Sequence, residues 1–455
     1  VNIDLLEGYL GRSRASDTHR LINLYVEKKT VGSKSKAILV GSPGLELFTT
    51  MTTVVRGAEK MNGIYYVVSG SSLYEVDSLG VATSRGTLST SNGKVSITNN
   101  GTQMLIVDGT SGYIYTGTTL TKITAAGFPN GATFAEFLDG FFIVNSPLTG
   151  QFNWSGAYDG LLWDGLDFAT AEGSPDGLVR HFVDHEELWL FGSDTTEIWT
   201  NTGGADIPFE RLQGAFIEIG CVAKNSVTRL DNTVVWLGQS GESGGASIFM
   251  AQGYNPKIIS DENVDFAIDN YPTISDAVAL SYNEEGHSFY AISFPSANAT
   301  WVYDAVNEKW HERISSGGRW KPEMHTWIYG SHMVPDYATG KIYKIKHDVF
   351  KEDGAEIIRD LYTNHISNDE EYLFGRSIEL VAERGGVSSI DPMAMLRISR
   401  DGGNNYGLER MTSLGKTGEF LMRAKWRRLG RSRDAVFHIR ISSAINVVIT
   451  KLVLR

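Results

Sequence analysis

Short runs of aromatic and β-branched residues, bracketed by Gly, Asn, Asp and Ser, recur along most of this chain. The unit is a turn, a strand-like run, a second polar turn and a second run. It appears as NGIYYVVSGSSLYEVD (62–77), NGTQMLIVDGTSGYIYT (100–116), LDGFFIVNSPLTGQFNWS (138–155), HEELWLFGSDTTEIWT (185–200), LDNTVVWLGQSGESGGASIFMA (230–251) and NEEGHSFYAISFPSANATWVYD (283–304). A weaker seventh copy is WIYGSHMVPDYATGKIYKI (327–345). Starts of the six clear copies lie 38 to 53 residues apart, close to the ~40–50 residue period of four-stranded propeller blades. The runs YYVV, LWLF and VVWL are apolar on both faces, as strands buried between neighbours must be. Their Tyr and Trp are therefore blade packing first and sugar platforms only second.

Ahead of the first copy, KAILVGSPGLELF (36–48) holds two strand signals around a Ser-Pro-Gly turn. An outer strand closing the ring is the expectation there. Residues 1–35 are polar with scattered apolar positions and read as an extended arm able to fold on a neighbour. After residue 346 the period stops. A charged, irregular junction (347–372) leads to SIELVAE, AMLRISR, EFLMRAKWRRL, AVFHIRIS and VVITKLVLR, five candidate strands of a β-sandwich. The expectation is an all-β chain: arm 1–35, propeller 36–346 of six or seven blades, basic sandwich 347–455.

Composition agrees, since 49 Gly, 19 Tyr and 10 Trp against 11 Pro in 455 residues favour strands and tight turns. The single cysteine, Cys221, has no partner for an intrachain disulfide, which fits assembly in a reducing cytoplasm. The first residues lack the apolar core of a secretory signal, and no apolar run approaches membrane-spanning length. Charge is uneven. Residues 397–455 carry 13 Lys and Arg against 4 Asp and Glu, a net +9, which leaves 1–396 at −21 within the total of −12.

Candidate chemistry adds little. RISRDGGNNYG (397–407) sets Ser399, Asp401, Gly403 and Tyr406 in the spacing of an Asp box, the hairpin found in sugar-cleaving propellers. There the Ser and Asp side chains bond turn backbone, so the motif is a lock without catalysis. Sialidase chemistry would also need an arginine cluster, a Tyr–Glu pair and an acid on other blades. His181 and His185 in RHFVDHEEL fall on one face of a strand, with Asp184 and Glu186 on the other, but lack a third metal ligand nearby. Gly415-Lys416-Thr417 ends like a phosphate loop, yet Arg410 stands where the first Gly belongs; GQSGESGGAS has no helix after it. Cys221 has no His neighbour in sequence and reads as a small buried hydrophobe. No catalytic, metal or cofactor site is expected.

RAKWRRLGRSRD is the most pointed cluster. Arg423, Lys425, Arg427, Arg428, Arg431 and Arg433 surround Trp426. Strand alternation would send Lys425, Arg427 and Leu429 one way and Trp426 and Arg428 the other. Interleaved cations and aromatics suit DNA phosphates or an acidic protein neighbour, but no DNA-reading helix is visible.

In order and spacing, GRSRASDTHRLINLYVE, GSPGLELF, FNWSGAYDGLLWDGLDFATAEGSPDGLVR, LWLFGSDTTEIWTNTGGADIPFERLQGAFIEIGC and SRDGGNNYG…WRRLGRSRDAVFHIRIS resemble the packaged DNA stabilisation proteins of short-tailed phages. The matched positions are Arg12, Arg14, Asn23, Tyr25, Pro43, Gly44, Asp176, Gly177, Asp401, Gly402, Tyr406, Trp426, Arg427, Arg428, Gly430, Arg431 and Arg433, with Lys425 beside them. This resemblance implies a non-enzymatic virion protein, a hexameric ring acting as tail hub or nozzle below the portal and its adaptor ring. It implies contacts with tailspikes or fibres and with a plug or needle, and viral DNA passing through without sequence-specific binding. An acidic lumen with the basic end facing protein is the expectation. The alternatives are a glycan-binding or glycan-cleaving tail protein contacting the host surface, and a soluble DNA-binding protein.

Overall fold

A computed structural model describes residues 2–3, 5, 17–28, 35–171, 173–174, 176–204, 207–239, 245–369, 371–383 and 391–455. Among these, seven antiparallel blade sheets follow one another from Val55 to Lys346, with a two-stranded ribbon, Ile314–Ser315 with Gly318–Arg319, between the last two. Innermost strands such as Val55–Met61, Ser96–Asn99, Ala135–Leu138 and Arg180–Asp184 each touch the next, and Thr326–Ile328 returns to Val55–Met61. That closed cycle is a seven-bladed propeller. The weak seventh repeat is a full blade because Gly44–Thr50 pairs antiparallel with Lys341–Lys346 and supplies its outer strand. Chain termini of the propeller are thereby locked in one sheet.

Period-two alternation explains the packing. In Ile64–Ser69, Tyr65 and Val67 pack against Ile328, Met333 and Ile342 of the seventh blade. Tyr66 and Val68 point the other way, onto Met104, Ile106 and Tyr113 of the second. Every blade interface has such an apolar cluster of its own. Tight hairpins that need two positive-φ residues turn on Asn62-Gly63, Asp139-Gly140, Glu285-Gly286 and Tyr329-Gly330. Those Gly-bearing turns are the punctuation visible in the repeats. One short helix, Glu262–Asp269, capped by Asp261, packs Val264 and Ile268 between blades five and six. No described helix is long and apolar enough to cross a membrane.

The sandwich draws on both ends of the chain. One sheet runs in the order Leu24–Lys28, Ala37–Gly41, Val448–Leu454, Leu373–Ala382, Ala424–Ser432. Facing it are Arg20–Ile22, Arg359–Tyr362, Asp434–Ile441, Met393–Ser399 and Arg410–Ser413. Leu24, Leu39, Ile378, Leu396, Trp426, Phe437 and Leu452 fill the space between them. All five expected C-terminal strands are present. Residues 17–28 and 35–41, however, are sandwich strands rather than a free arm or the start of the propeller. Their alternating Leu21, Leu24, Val26 and Leu39 complete a core that five strands alone would leave open. Arg20–Ile22 also pairs in parallel with blade six at Glu312, so one ten-stranded sheet spans propeller and sandwich.

Candidate functional site

The Asp box forms as its chemistry requires. Ser399 is fully buried, donates to Asp401 Oδ1 at 2.7 Å and accepts the Gly403 amide at 2.8 Å. Asp401 in turn accepts the Asn405 amide at 2.9 Å, and this hydrogen bond, with those from Ser399 and the Asn405 side chain, holds its carboxyl at about 2. Gly402 and Gly403 sit at φ 68° and 86°, and a Cβ on either would strike Asp434 or Thr18. Tyr406 bridges back to Ser399. The hairpin is a packing device inside the sandwich, with the Ser399 and Asp401 side chains bonded within the turn.

Next to it lies the basic strand Ala424–Ser432, the outer edge of its sheet. Ser377 pairs with Arg427 but Gly375 with Gly430, so the strand bulges between them, and Arg428 takes φ 58° and Gly430 φ 85°. The extra residue resets the alternation. Leu429 joins Trp426 in the core instead of sharing a face with Lys425 and Arg427, while Arg427, Arg428, Arg431 and Arg433 are all exposed. Lys425 is half-buried. The bulge carbonyls are taken by two further arginines, Arg410 reaching Arg427 O and Arg400 reaching Leu429 O at 2.9 Å. Trp426 Nε1 donates to Arg410 O at 2.7 Å. Arg431 and Arg433 lie over the Tyr372 ring at 4.9 and 4.8 Å, beside exposed Phe374. None of Arg427, Arg428, Arg431 and Arg433 forms an ion pair among the described residues.

Other fingerprint positions hold the fold together. Asn23 (φ 54°) bonds Ile314 and Ile358, the end of blade six and the start of the sandwich. Tyr25 is buried edge-on against His287 and Phe289, and burial raises its hydroxyl pKa well above the usual value. Pro43 O accepts from the buried Arg313, while a Cβ on Gly44 would come within 2.4 Å of Val349 O and Lys351 O. Asp176 accepts the Asp194 and Thr195 amides at 2.9 Å, a turn lock in blade four; Gly177 meets nothing. Arg12 and Arg14 lie outside the described residues.

The histidine pair does not share a face. His181 is buried and pushed down to about 3 by burial and Arg180, whereas His185 and Glu186 form the next turn at φ 46° and 65°. Among the described residues no cluster could hold a metal ion. Cys221 is buried, and burial pushes its thiol up to about 11.

Two depressions were not foreseen. All seven blades line a central channel space of about 360 Å³, where Glu136 meets Arg180 at 3.4 Å near Glu59, Thr98 and His325. Burial pushes Glu136 up to about 7 despite Arg180. A second hollow of about 500 Å³ at the channel mouth is lined by Trp327, Tyr282, His332, Arg229, Asp231 and Asn283. Its Trp327 is half-exposed over His332. Only the turn-strand repeat hinted at residues from separate blades meeting there.

Residues 1–350 match the family described as Bacteriophage P22 Gp10, beta-propeller, and residues 358–455 the companion family described as Bacteriophage P22 Gp10, beta-sandwich. Comparison with curated proteins gives no match. Solved structures similar to the chain include the WD40 propeller domain of Doa1 (12% identity, 67% of this chain and 97% of that one, TM-score 0.44). The N-terminal domain of Nup159 (9%, 72% and 99%, 0.43) and the Neurospora crassa Pan2 WD40 domain (8%, 67% and 97%, 0.44) are similar at the same level. Nothing about function follows from those three. Both halves of this chain, in the same order, are instead those of a phage tail component: the chain belongs to the bacteriophage P22 Gp10 family, the packaged DNA stabilisation proteins of short-tailed phages, and is a structural protein of the virion.

Proposed function

We propose that this chain is the ring-forming hub, or nozzle, of the tail. Six copies assemble in the host cytoplasm below the portal and its adaptor ring, narrow the DNA exit channel and retain the packaged genome. Surfaces of the ring take the tailspikes or fibres and a plug or needle. The protein catalyses nothing. The observation that carries this reading is the sandwich edge, where Arg427, Arg428, Arg431 and Arg433 stand exposed without an ion-pair partner among the described residues, on a body of net charge −21. A basic lumen would hold phosphates and resist ejection, so the acidic body faces DNA and the basic edge faces protein.

Cryo-EM of whole tails tests it by counting copies and tracing the edge. A closed ring under the adaptor with the arginines against protein is expected. Peripheral trimers would overturn the hub, and a lumen lined by Arg427, Arg428 and Arg431 would overturn the charge assignment.

A second reading, glycan binding at the host surface, is favoured by the Trp327 hollow, since an exposed indole among polar side chains suits a sugar face. Saturation-transfer NMR with neutral methyl hexopyranosides tests it. A signal lost in Trp327→Ala supports it, and no signal ends it.

A further inference from the structure

We propose that the ring closes by seating the arginine edge of one copy on the acidic, leucine-rich loop 156–168 of the next. This rests on the ring reading given above and names the two surfaces.

Loop 156–168 joins the third and fourth strands of blade three. It is rigid. Gly156 N donates to Leu162 O and Trp163 Nε1 to Gly160 O, both at 2.8 Å, and the buried Trp163 ring stands edge-on to Phe128 of the neighbouring sector at 5.0 Å. Asp159 and Asp164 each bond the amide two residues on, at 3.0 and 2.9 Å, fixing the turns. With Trp163 as its anchor, the loop presents Tyr158 (69% exposed), Leu162 (61%) and Leu166 (82%) to solvent. Asp159 and Asp164 lie among them, and neither forms an ion pair among the described residues. A rigid loop that exposes leucines has no internal reason to do so, and little ordering cost remains when a partner covers them.

The arginine edge is its complement. Phe374 is 72% exposed and pairs with Arg431 on the adjacent strand. Aromatic residues and arginines of this kind form interface centres, and opposed charge sets the register. Strand addition is not the mode. The bulge at Arg428 and Gly430 breaks the edge, and Arg400 and Arg410 occupy its carbonyls, so a partner must meet side chains.

Placement fits a head-to-tail ring. Leu24–Lys28 and Ala37–Gly41 hold the sandwich against blades six and seven through Tyr25 and Val40. Ala424–Ser432 is at the opposite edge of that sheet, four strand spacings or roughly 19 Å away. The loop belongs to blade three, three of seven steps from blade six, roughly 150° round the propeller. Two different, complementary patches on opposing flanks make a heterologous contact, the kind that generates rings.

The test uses tails assembled from full-length chains carrying Leu166→Cys with Arg431→Cys, treated with a short bismaleimide. Native Cys221 is 1% exposed and adds no background. A ladder ending at the closed ring, absent in both single variants, is expected. A lysine-directed cross-linker is run alongside. If it gives the ladder and the cysteine pair does not, the ring stands and this interface is overturned; if neither does, both fall. Asp159→Lys with Asp164→Lys, in the same cysteine-pair chain, is expected to abolish the ladder, and adding Arg427→Glu with Arg433→Glu to restore it. Loss without restoration, in chains whose melting is unchanged, overturns the pairing.

Discussion

Asn23 and Ile314 exchange two hydrogen bonds across 291 residues of chain, Asn23 Nδ2 donating to Ile314 O and Ile314 N donating to Asn23 Oδ1, both at 3.0 Å. The same carboxamide gives its other hydrogen to Ile358 O at 2.8 Å. One buried side chain thus ties the N-terminal strands, the end of blade six and the first residues of the sandwich. Its backbone is left-handed (φ 54°), a conformation Asn tolerates better than most residues. Asn23→Ala is expected to cost about 2–4 kcal/mol, because buried backbone groups lose their partner and Ala dislikes that φ. Asn23→Gly removes only the first cause of stability and is expected to fall in between. Urea unfolding checks both; an Ala variant as stable as the parent would sink the tie.

Ring closure gives a paired prediction from two fingerprint glycines. Gly44 lies where the closing strand passes Val349 and Lys351 so tightly that a Cβ has no room, whereas a Cβ on Gly177 meets nothing. Gly44→Ala is expected to lower stability by about 2 kcal/mol or more, and Gly177→Ala to stay within about 0.5 kcal/mol. Equal effects in thermal melts would mean that the closing strand is not under steric control.

Arg428 pays conformational strain at φ 58° to stand at the bulge. Such strain in an exposed arginine is a cost that Gly would relieve. Arg428→Gly is therefore expected to raise the melting temperature slightly while weakening incorporation into tails. A variant that incorporates as well as the parent would mean the arginine contributes nothing to assembly.

The propeller was legible because its turns carry Gly and its strands carry aromatic and β-branched runs, and seven such units print a period. Where a turn lacks Gly the reading failed. His185 and Glu186 turn blade four at positive φ with no local signal, so simple alternation puts His185 on a strand face it does not occupy. The sandwich was legible only at its C-terminal end. Leu21 and Leu39 look like scattered apolar positions until strands more than 300 residues later pair with them, and no local pattern announces such pairing. Leu429 shows the same limit. Alternation places it correctly up to Arg427, and a one-residue bulge set by Gly375 and Gly430 on facing strands then swaps its face.

Glu136 makes stability depend on pH in a defined direction. Burial raises its carboxyl to about 7, against roughly 4.3 in an unfolded chain. Between those values the folded protein keeps a proton that the unfolded chain has released. Its contribution is therefore complete below about pH 4 and is lost as pH rises toward about 7. The side chain retains 18% of its surface, which trims the effect to on the order of 2 kcal/mol. Glu136→Gln stays neutral throughout, so its stability relative to the parent is expected to climb between pH 5 and pH 8. Arg180, 3.4 Å away, faces an uncharged partner in the variant at every pH and in the parent only at the acid end. Its attraction is already contained in the value near 7, so the climb is what burial leaves after Arg180 has been counted. Melting curves of both chains across that range decide it, and parallel profiles would show that the channel holds Glu136 charged.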